Sequence, residues 1–522
     1  MNCMKKMLPV LAAALLSAAA SAQSQSFNLG KWIELQASVL KELNRSYVDS
    51  LPVDRIEKKA IDSMLSELDP YTVFIPEEEH DDLEMLIGKT YGGIGAVIYK
   101  PEKDGNVIIN EPYEGSPAVK YGLQPGDEIL EIDGVTTHGI DSKEASSRMK
   151  GKPGTEVVFK VQKVRTGEIK DIKIIRERIK LPDLEYSGMV NDTTGYILQS
   201  GFTEGVGNAL RAEVARLKQE CGMRRLVLDL RGNGGGLLSE AVEIVGAFVP
   251  KGSLVVTSRG KEKTESREYR TTREPVDATI PLVLLVDSGS ASSSEIVTGA
   301  LKDMGRATIM GSRTFGKGLV QSIRPLPYGA QMKVTTARYY TPSGRCVQAL
   351  DYSHRNEDGR VEQIPGGGIE PDIELKPVNY SRLTYSVVLS GVVEQYALDF
   401  VRSHESIPAV RDFHFDDYDA FVEFARGKEF DYRSSARTYF DKMREILKED
   451  GLEDSVKDEL DALGKSLEMD KETFLRLKKD EIVPFIEEEI AVRYYFQKAG
   501  VQVRLRYDTQ LEEALCRASE TK

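Results

Sequence analysis

The chain has 522 residues, 40% hydrophobic and 29% charged, which predicts roughly three or four packed domains and excludes disorder along its whole length. Lysine and arginine number 70 against 83 aspartates and glutamates, and this net charge of −13 disfavours binding to nucleic acid. The five histidines and four cysteines do not stand at the spacing of a zinc site, so we expect neither a metal nor another cofactor.

The first 22 residues have the plan of a secretory signal peptide. Lys5 and Lys6 precede an apolar run over residues 8–20, and the small residues at 20–22 (ASA) form a cleavage site. A membrane anchor needs about 20 apolar residues, and this run is shorter. No later stretch is apolar enough to cross a bilayer, so the cleaved chain should carry no transmembrane segment. We expect it in the periplasm or outside the cell, or peripheral to a membrane.

Cysteine usage agrees with such a location without adding a constraint on the fold. Cleavage removes Cys3 and leaves Cys221, Cys346 and Cys516. An odd number allows at most one disulfide, so the fold should not depend on a disulfide framework. Whether any of the three are paired stays open.

Residues 23–84 are predicted to be helical. Trp32, Leu35, Val39 and Leu43 recur at steps of three and four residues, which places them on one apolar stripe of a helix. Such a stripe is covered either by the core of the protein or by a second subunit.

Residues 85–179 change in character to short alternating strands separated by glycine turns. The strand candidates are 107–109 (VII), 128–132 (EILEI) and 157–161 (VVFKV). Ahead of them, the glycines of 91–95 (YGGIG) allow successive N–H groups to face one side and form a small anion-binding nest. A peptide's terminal carboxylate fits such a nest, although the same letters also fit a plain glycine turn.

The segment that follows favours the peptide-binding interpretation. Residues 123–134 (LQPGDEILEIDG), together with the glycine loop, resemble a PDZ domain of the circularly permuted kind found in secreted bacterial proteases. The resemblance implies capture of polypeptide C-termini. It places Gly93, Ile94 and Gly95 at the carboxylate and Ile94 among the apolar side chains of the pocket.

Residues 180–378 alternate strands with helices. The stretches 225–230 (RLVLDL) and 280–287 (IPLVLLVD) are almost continuously apolar, which is typical of central strands covered on both faces. Each leads into a glycine- or serine-rich turn and then into a helical stretch. This part of the chain is therefore predicted to have an α/β layer fold.

Three blocks in this part carry candidate chemistry: 229–236 (DLRGNGGG), 287–295 (DSGSASSSE) and 314–321 (TFGKGLVQ). Acyl transfer needs a nucleophile, a proton acceptor and N–H donors for the developing oxyanion. A serine at a helix N-terminus and a glycine turn can supply the first and the last. No histidine stands near these blocks, but a buried lysine can act as the base, and Lys317 is placed for that role.

Each block also has a purely structural interpretation. Ser292 and Glu295 fit a helix capping box, in which Ser292 is only the N-cap. A lysine between two glycines fits a solvated loop. A phosphate loop is excluded, because the glycine run lacks the Gly-Lys-Ser/Thr of a Walker A motif.

Taken together, the three blocks resemble the carboxy-terminal processing proteases, which are S41-type Ser/Lys endopeptidases with a PDZ domain and a ClpP/crotonase-like core. The resemblance runs over roughly residues 30–378 and includes 69–71 (DPY), 339–345 (YYTPSGR) and 368–372 (GIEPD). It implies an α/β multidomain protein. A PDZ-like β-rich domain is inserted beside the protease core, and helical regions flank both at the N- and C-termini.

The resemblance also assigns roles to individual residues. It implies a nucleophile, a general base, a glutamine that orients the base, and two backbone N–H donors of an oxyanion hole, in this order: Ser292, Lys317, Gln321, Gly236 and Ser293. Because the tract reads serine at several successive positions, the sequence leaves Ser290 and Ser294 open as nucleophiles.

Residues 379–522 return to helical periodicity with long charged segments. The amount of helix outside the two compact modules favours a homo-oligomer, and we expect a dimer in which N-terminal helices are swapped between subunits. The C-terminal helical domain is expected either to cover the groove or to bind an adaptor protein.

These observations predict a secreted or periplasmic serine endopeptidase that recognises protein C-termini through a PDZ domain and cleaves through an acyl-enzyme. The alternative is a catalytically inactive, PDZ-containing scaffold that binds peptides without cleaving them. Acyl-CoA chemistry, which crotonase-like cores also support, is disfavoured by export and by the PDZ-like module.

Overall fold

The computed structural model describes residues 26–79, 88–100, 105–262, 266–355 and 360–520. The chain divides into two compact units, Met1–Phe74 and Ile75–Lys522. The predicted signal peptide, residues 1–22, lies outside the described residues. Within the described ranges, no helix is both long and apolar enough to cross a membrane.

The first unit contains a helix over residues 26–46 and a second helix, Val53–Ser66. Trp32, Leu35 and Val39 lie on the first helix, as their spacing predicts, and they are 66%, 43% and 56% exposed. The unit therefore presents a stripe of large apolar side chains that its own residues leave uncovered.

The helical prediction for 23–84 is wrong between Ser66 and a 3-10 turn at Glu77–Glu79. The Asp69 carboxylate accepts the N–H groups of Tyr71 and Thr72, each at 2.8 Å, and this turn follows the end of the second helix. A short strand, β1 (Val73–Ile75), follows the turn. Residues 80–84 lie outside the described residues.

The β-rich module contains all three strands that the sequence predicts. β3, β4, β5, β7 and β8 pair in that order, β6 pairs with β5, and β2 pairs with β9. β3 lies at one end of this order, immediately after the glycine loop. The elements of the module are β2 (Thr90–Gly93), β3 (Ala96–Tyr99), β4 (Val107–Pro112), the helix Pro117–Lys120, β5 (Glu128–Ile132), β6 (Val135–Thr136), the helix Ser142–Met149, β7 (Glu156–Gln162), β8 (Ile169–Ile175) and β9 (Glu177–Lys180).

The α/β module is built on a sheet in which β10, β11, β12, β15, β16 and β21 are neighbours in that order. A second sheet pairs β18 with both β13 and β17, and β14 with β13. The elements are β10 (Leu184–Met189), β11 (Thr194–Gln199), the helix Val206–Glu220, β12 (Arg225–Asp229), the helix Leu238–Val245, β13 (Leu254–Gly260), β14 (Arg267–Arg270), β15 (Leu282–Val286), the helix Ser293–Asp303, β16 (Thr308–Gly311), β17 (Leu319–Pro325), β18 (Gln331–Tyr340), β19 (Leu350–Arg355), β20 (Val361–Gln363) and β21 (Ile373–Glu374).

The C-terminal region is helical, as predicted. Its α-helices are Arg382–Leu389, Val392–Ser403, Tyr418–Arg426, Ser435–Glu449, Lys457–Ser466, Lys471–Leu477, Lys479–Tyr495, Gln497–Tyr507 and Thr509–Glu520, with 3-10 turns at Val410–Asp412 and Glu453–Val456. Most of them share one apolar core, in which Phe421, Leu475, Ile482 and Ile490 are fully buried.

The last helix instead completes the α/β module. Its Leu511 and Ala514 pack with Val227, Leu285 and Met310 on one face of the central sheet, while the helices of the module cover the other face. Both faces of β12 and β15 are thereby buried, which explains why these strands are almost continuously apolar.

Neither Cys221 nor Cys346 is disulfide-bonded. The core of the described chain therefore rests on packing rather than on covalent cross-links between these residues.

Candidate active site

The three sequence blocks meet at one edge of the central sheet. β12, β15 and β16 are parallel neighbours, and each is followed by one of the blocks. The glycine turn starts after Asp229, the serine tract after Val286 and the lysine loop after Gly311. Because the carboxyl ends of parallel strands meet at the same edge, blocks that lie far apart in sequence share one site.

Ser292 stands at the joint between β15 and the helix Ser293–Asp303. It is the N-cap residue and has φ +57° and ψ −114°, a conformation that a non-glycine residue rarely adopts. Its side chain is partly buried, and backbone strain of this kind clusters at functional sites. The sharp turn places the Ser292 side chain at the positive end of the helix dipole.

The neighbouring serines have structural roles. Three hydroxyl groups donate to backbone carbonyls: Ser290 to Leu230 at 2.7 Å, Ser293 to Gly236 at 2.9 Å and Ser294 to Asn233 at 2.8 Å. Ser290, Ser293 and Ser294 are also at most 1% exposed. Buried hydroxyls engaged in this way hold the serine tract against the glycine turn, which leaves Ser292 as the candidate nucleophile.

The Glu295 carboxylate joins the serine tract to the lysine loop. Its Oε2 accepts the N–H groups of Ser292 at 2.9 Å and of Lys317 at 2.8 Å. Its Oε1 accepts the Thr314 hydroxyl and the Gly316 N–H, both at 2.7 Å. Burial raises the pKa of Glu295, and these four donors counter that rise. A single fully buried side chain thus fixes the two candidate catalytic residues relative to each other.

Tyr339 makes a second bridge between the same two residues. Its hydroxyl lies within 3.1 Å of the Ser292 carbonyl oxygen and also contacts the carbonyl oxygen of Lys317. The ring is 1% exposed and belongs to the main core of the α/β module. The backbones of Ser292 and Lys317 are therefore tied from both sides, one through N–H groups and one through carbonyls.

The lysine loop is threaded tightly past a neighbouring segment. Gly316 has φ +89°, and a Cβ there would lie 2.4 Å from the Cβ of Ala349, so a side chain cannot be accommodated. The Gly318 N–H donates to Gln348 Oε1 at 2.8 Å. Lys317 stands between these two anchored glycines and is partly buried.

Gln321 lies on β17, which settles whether this stretch is strand or turn. A bulge between Val320 and Gln321 shifts the register against β18, so that Gln321 faces Thr335. Its amide donates to the Thr335 hydroxyl at 3.2 Å. The sequence predicts that Gln321 orients Lys317, and this role stays a prediction.

The glycine turn is pressed against the start of the helix. A Cβ on Gly235 would lie 2.8 Å from both the Ser292 Cβ and the Ser293 nitrogen, which requires glycine at this position. Among the residues that the structure describes, no acceptor is bound by the N–H of Gly236 or of Ser293. These two amides are the ones that the resemblance assigns to the oxyanion hole.

In the β-rich module, the glycine loop follows β2. Gly93 pairs with Glu177, Gly95 has φ +73°, and the Gly95 carbonyl accepts the Tyr113 N–H at 2.9 Å. Ile94 is 2% exposed and packs into the core of the module. Only its backbone is therefore placed to meet a carboxylate, and the N–H groups of Ile94 and Gly95 have no acceptor in the described chain.

Two residues of the site, Glu295 and Tyr339, were not predicted from the sequence. The signal for Glu295 was present as the Ser-x-x-Glu spacing, which was interpreted as a capping box. The Ser292 N–H does donate to Glu295, so the capping contact exists and is also part of the site. For Tyr339, nothing in the local pattern distinguishes it from its neighbour Tyr340.

Three family models match separate parts of the chain. A family model described as peptidase family S41 matches residues 193–375, a PDZ-domain model matches 108–163, and a model described as probable PDZ-protease, C-terminal helical domain, matches 383–516.

Individual relatives match over about the same length. A carboxy-terminal-processing protease of Bartonella bacilliformis is 33% identical over 356 residues, covering 66% of this chain and 81% of the relative. A probable CtpA-like serine protease of Staphylococcus aureus is 34% identical over 347 residues, covering 66% of this chain. The match spans only 65% of the length of that staphylococcal relative.

A solved structure of a photosystem II D1 C-terminal processing protease is 28% identical, with a TM-score of 0.38. The matched region covers 67% of this chain and 88% of the chain in that structure.

Proposed function

The chain belongs to peptidase family S41, the family of the carboxy-terminal processing proteases, and on that premise we propose that it is a serine endopeptidase. In this proposal its PDZ domain recognises the C-terminus of a polypeptide, and a Ser/Lys dyad cleaves peptide bonds through an acyl-enzyme. No cofactor takes part.

Ser292 is the proposed nucleophile and Lys317, as a neutral amine, the general base. The Ser292 Oγ attacks the peptide carbonyl carbon, and its proton passes to the Lys317 Nζ. The resulting ammonium then gives the proton to the leaving nitrogen, so that the C–N bond breaks and a Ser292 ester remains. Water, deprotonated by Lys317, hydrolyses the ester and restores the hydroxyl. Gln321, held by Thr335, orients the amine.

The N–H groups of Gly236 and Ser293 are the proposed donors to the oxyanion of the tetrahedral intermediate. One such donor is worth about 2.7–4 kcal/mol of transition-state stabilisation. Support comes from their lack of an acceptor in the described chain and from the closeness of the glycine turn to the Ser292 Cβ. Donors that are already fixed by the fold cost no reorganisation when charge develops.

The observation that carries the proposal is the shared carboxylate of Glu295. It receives the N–H of Ser292 and the N–H of Lys317 on the same oxygen, at 2.9 Å and 2.8 Å. A serine that merely capped its helix would not need a second loop, with a lysine, bound to the same buried group. The competing structural interpretation of each motif therefore leaves this convergence unexplained.

Substrate capture is assigned to the glycine loop at Gly93, Ile94 and Gly95. A terminal carboxylate would bind the N–H groups of Ile94 and Gly95, and the preceding residues would pair with the edge strand β3. A cavity of about 1260 Å³ is lined by residues of both modules, among them Ser116 and Thr203. In this proposal a captured polypeptide passes along the cavity on its way to Ser292.

Export and assembly complete the proposal. Cleavage after Ala22 would release the chain to the periplasm or the cell exterior, where it would act on exported proteins. The exposed apolar stripe of the helix over 26–46 supports a homodimer through the N-terminal helices. The C-terminal helices are a candidate surface for an adaptor protein. Sedimentation at micromolar concentration tests the dimer, and a monomer would contradict it.

The function is tested by incubating an unfolded exported protein with the wild type, Ser292→Ala and Lys317→Ala, and by mapping the products by mass spectrometry. Each substrate is supplied with a free and with an amidated C-terminus. We expect both substitutions to abolish cleavage without lowering the melting temperature by more than a few degrees. Amidation should reduce the rate, because it removes the charge that the glycine loop binds.

Full cleavage by either variant would refute the dyad. Binding of C-terminal peptides by the wild type, with no products, would instead identify the chain as a peptide-binding scaffold.

A further inference from the structure

A segment near residue 510 reaches back to the glycine turn and holds Arg231, close to the start of that turn. The Asp508 carboxylate accepts two bonds from the guanidinium, Nη2 to Oδ2 at 2.5 Å and Nη1 to Oδ1 at 3.2 Å. Gln510 Oε1 accepts a further bond from Nη1 at 2.9 Å. These contacts join residues 277 and 279 positions apart in sequence.

Arg231 also binds back to the strand it leaves. Its Nε lies 3.0 Å from each oxygen of Asp229, whose carboxylate is 1% exposed and also accepts the Tyr196 hydroxyl at 2.7 Å. The guanidinium therefore lies between two carboxylates, one from the end of β12 and one from the C-terminal segment. Such a fork of paired bonds fixes the plane of the guanidinium as well as its position.

The partner segment is itself firmly placed. Asp508 precedes the helix Thr509–Glu520, whose Leu511 and Ala514 are buried against the central sheet. Gln510 donates to the Lys376 carbonyl at 2.9 Å, next to the end of β21. Asp508 is thus held by the packing of the last helix, and it can transmit that fixed position to Arg231.

The turn that Arg231 opens is the one that carries the proposed oxyanion donor. Gly232 donates to Asp287 at 2.8 Å, Gly235 donates to Asn233 at 2.9 Å, and Gly236 follows directly. A displacement of about 1 Å at a catalytic group can cost on the order of 10²-fold in rate. A shift at the start of this turn would therefore displace the Gly236 N–H and lower the rate of the proposed reaction.

We propose that Asp508 is a positioning residue of the active site, which acts through the Arg231 guanidinium to fix the glycine turn and, with it, the Gly236 N–H. This inference rests on the proposed function, because it gives the Gly236 amide a catalytic role. It makes the last helix, which follows the protease core by more than a hundred residues of sequence, a working part of that core.

Asp508 also has an ordinary helix-capping role, which the test must separate from the positioning role. Its Oδ1 accepts the Leu511 N–H at 2.9 Å, as an N-cap side chain does. Asparagine caps helices as well as aspartate does, but it carries no charge and places an NH2 group against a guanidinium. Asp508→Asn therefore keeps the cap and removes the paired acceptor.

The experiment compares the full-length wild type with Asp508→Asn and with a control variant, Glu512→Gln. Glu512 is an exposed carboxylate on the helix Thr509–Glu520. Two quantities are measured: kcat and KM on the unfolded exported substrate, and hydrogen–deuterium exchange of peptides that cover residues 231–237. We expect Asp508→Asn to lower kcat by about 10- to 100-fold, with KM within about twofold. Exchange in the turn should be about tenfold faster. Glu512→Gln should match the wild type in both.

Wild-type kcat in Asp508→Asn would overturn the proposal, and so would a lower kcat with unchanged exchange in the turn. If Asp508→Asn does not fold, Arg231→Lys decides, since it leaves Asp508 and its helix cap in place, keeps the positive charge and removes the fork through which Asp508 acts. A kcat lowered about two- to fivefold with faster exchange would support the proposal, and unchanged values would overturn it. If the wild type cleaves nothing, the proposed function fails, whereas the exchange data still show whether Asp508 holds the turn.

Discussion

A buried carboxylate lies at the candidate active site, and partly buried carboxylates gather where the PDZ module meets the C-terminal helices. At the site, Glu295 stands alone and accepts four donors at 2.7–2.9 Å. The other place, which we call the acidic interface, gathers Glu111 from the PDZ module with Glu394, Glu488 and Glu489 from the helices.

The acidic interface has more carboxylates than cations to pair with them. Arg493, whose side chain is fully buried, binds Glu489 and Asn110, and Arg504 binds Glu488 at 2.9 Å. Burial raises the pKa of Glu394 to about 6 and of Glu488 to about 7, and the neighbouring carboxylates add to both shifts. The candidate active site is thus held by satisfied hydrogen bonds, whereas the acidic interface holds carboxyl groups whose pKa values are raised.

The largest expected effect comes from Glu295→Gln, which tests the four hydrogen bonds that the Glu295 carboxylate accepts at the candidate active site. An amide replaces one acceptor oxygen with an NH2 group, so two of the four donors lose their partner in a buried position. Each such loss costs about 1–3 kcal/mol. We expect kcat to fall by at least about 100-fold and the free energy of unfolding by roughly 3 kcal/mol.

Asp277→Asn is the matched control for that change. Asp277 is also a buried carboxylate that accepts backbone N–H groups, from Thr279 and Ile280, but it lies before the amino end of β15, at the opposite edge of the sheet. We expect a similar loss of stability with kcat unchanged. Equal losses of kcat in both variants would show that Glu295 acts only through general stability.

The next effect concerns the acidic interface and pH. A carboxyl whose folded pKa lies above its unfolded value of 4.5 holds a proton in the folded state that the unfolded chain has released. The free energy of unfolding should therefore fall as pH rises from about 4.5 to about 7, and it should level off above that. For Glu488 we expect a loss of roughly 2 kcal/mol, measured by urea unfolding at pH 5 and pH 8.

The Glu488→Gln variant has no titrating group at position 488, so it should lose less stability than the wild type between pH 5 and pH 8. Glu394 continues to contribute to the loss. An unchanged pH dependence in this variant would contradict the assignment of the effect to the interface. Hydrogen exchange between pH 5 and pH 8 should become faster at the acidic interface than at the candidate active site. A larger loss of protection at the candidate active site would contradict the expectation.

The smallest effect is expected from Tyr339→Phe. This change removes the hydroxyl that contacts the carbonyl oxygens of Ser292 and Lys317 and keeps the buried ring. Because the Glu295 bridge remains, we expect a loss of about 1 kcal/mol in stability and a fall in kcat of about fivefold. Tyr340→Phe is the control and should leave kcat unchanged. If Tyr339→Phe equals Glu295→Gln in effect, the two bridges are not independent.

Much of the fold was predictable because its signals are local. The strands at 128–132 and 157–161 alternate along their length, and 225–230 is almost continuously apolar, so both kinds of strand were recognised from their pattern. The helical prediction failed at 67–75, where the side chain of Asp69 turns the chain after the helix Val53–Ser66 and a short strand follows. The helical spacing of apolar residues gives no information about a turn that one carboxylate side chain forms with the backbone.

The three sequence motifs of the site were predictable, but the hydrogen bonds that join them were not. The resemblance carried by the glycine, serine and lysine motifs pointed to Ser292 and Lys317, and the parallel order of β12, β15 and β16 accounts for the meeting of these motifs. The sequence left Ser290 and Ser294 open as alternatives to Ser292, and only the structure shows that their hydroxyls donate to backbone carbonyls. The burial of Ile94 in the PDZ core was likewise not readable from the glycine loop.

Glycine conformations, apolar alternation and motif spacing act over a few neighbouring residues, so the order of the modules and the residue types at the candidate active site could be recognised without coordinates. The groups that hold those residues in place depend instead on how distant parts of the chain pack. Glu295 reaches a loop some twenty positions away, and Arg231 meets Asp508 from across 277 positions of sequence. Contacts of that range depend on how the helices and sheet pack, because no local preference specifies which distant carboxylate will satisfy a buried donor.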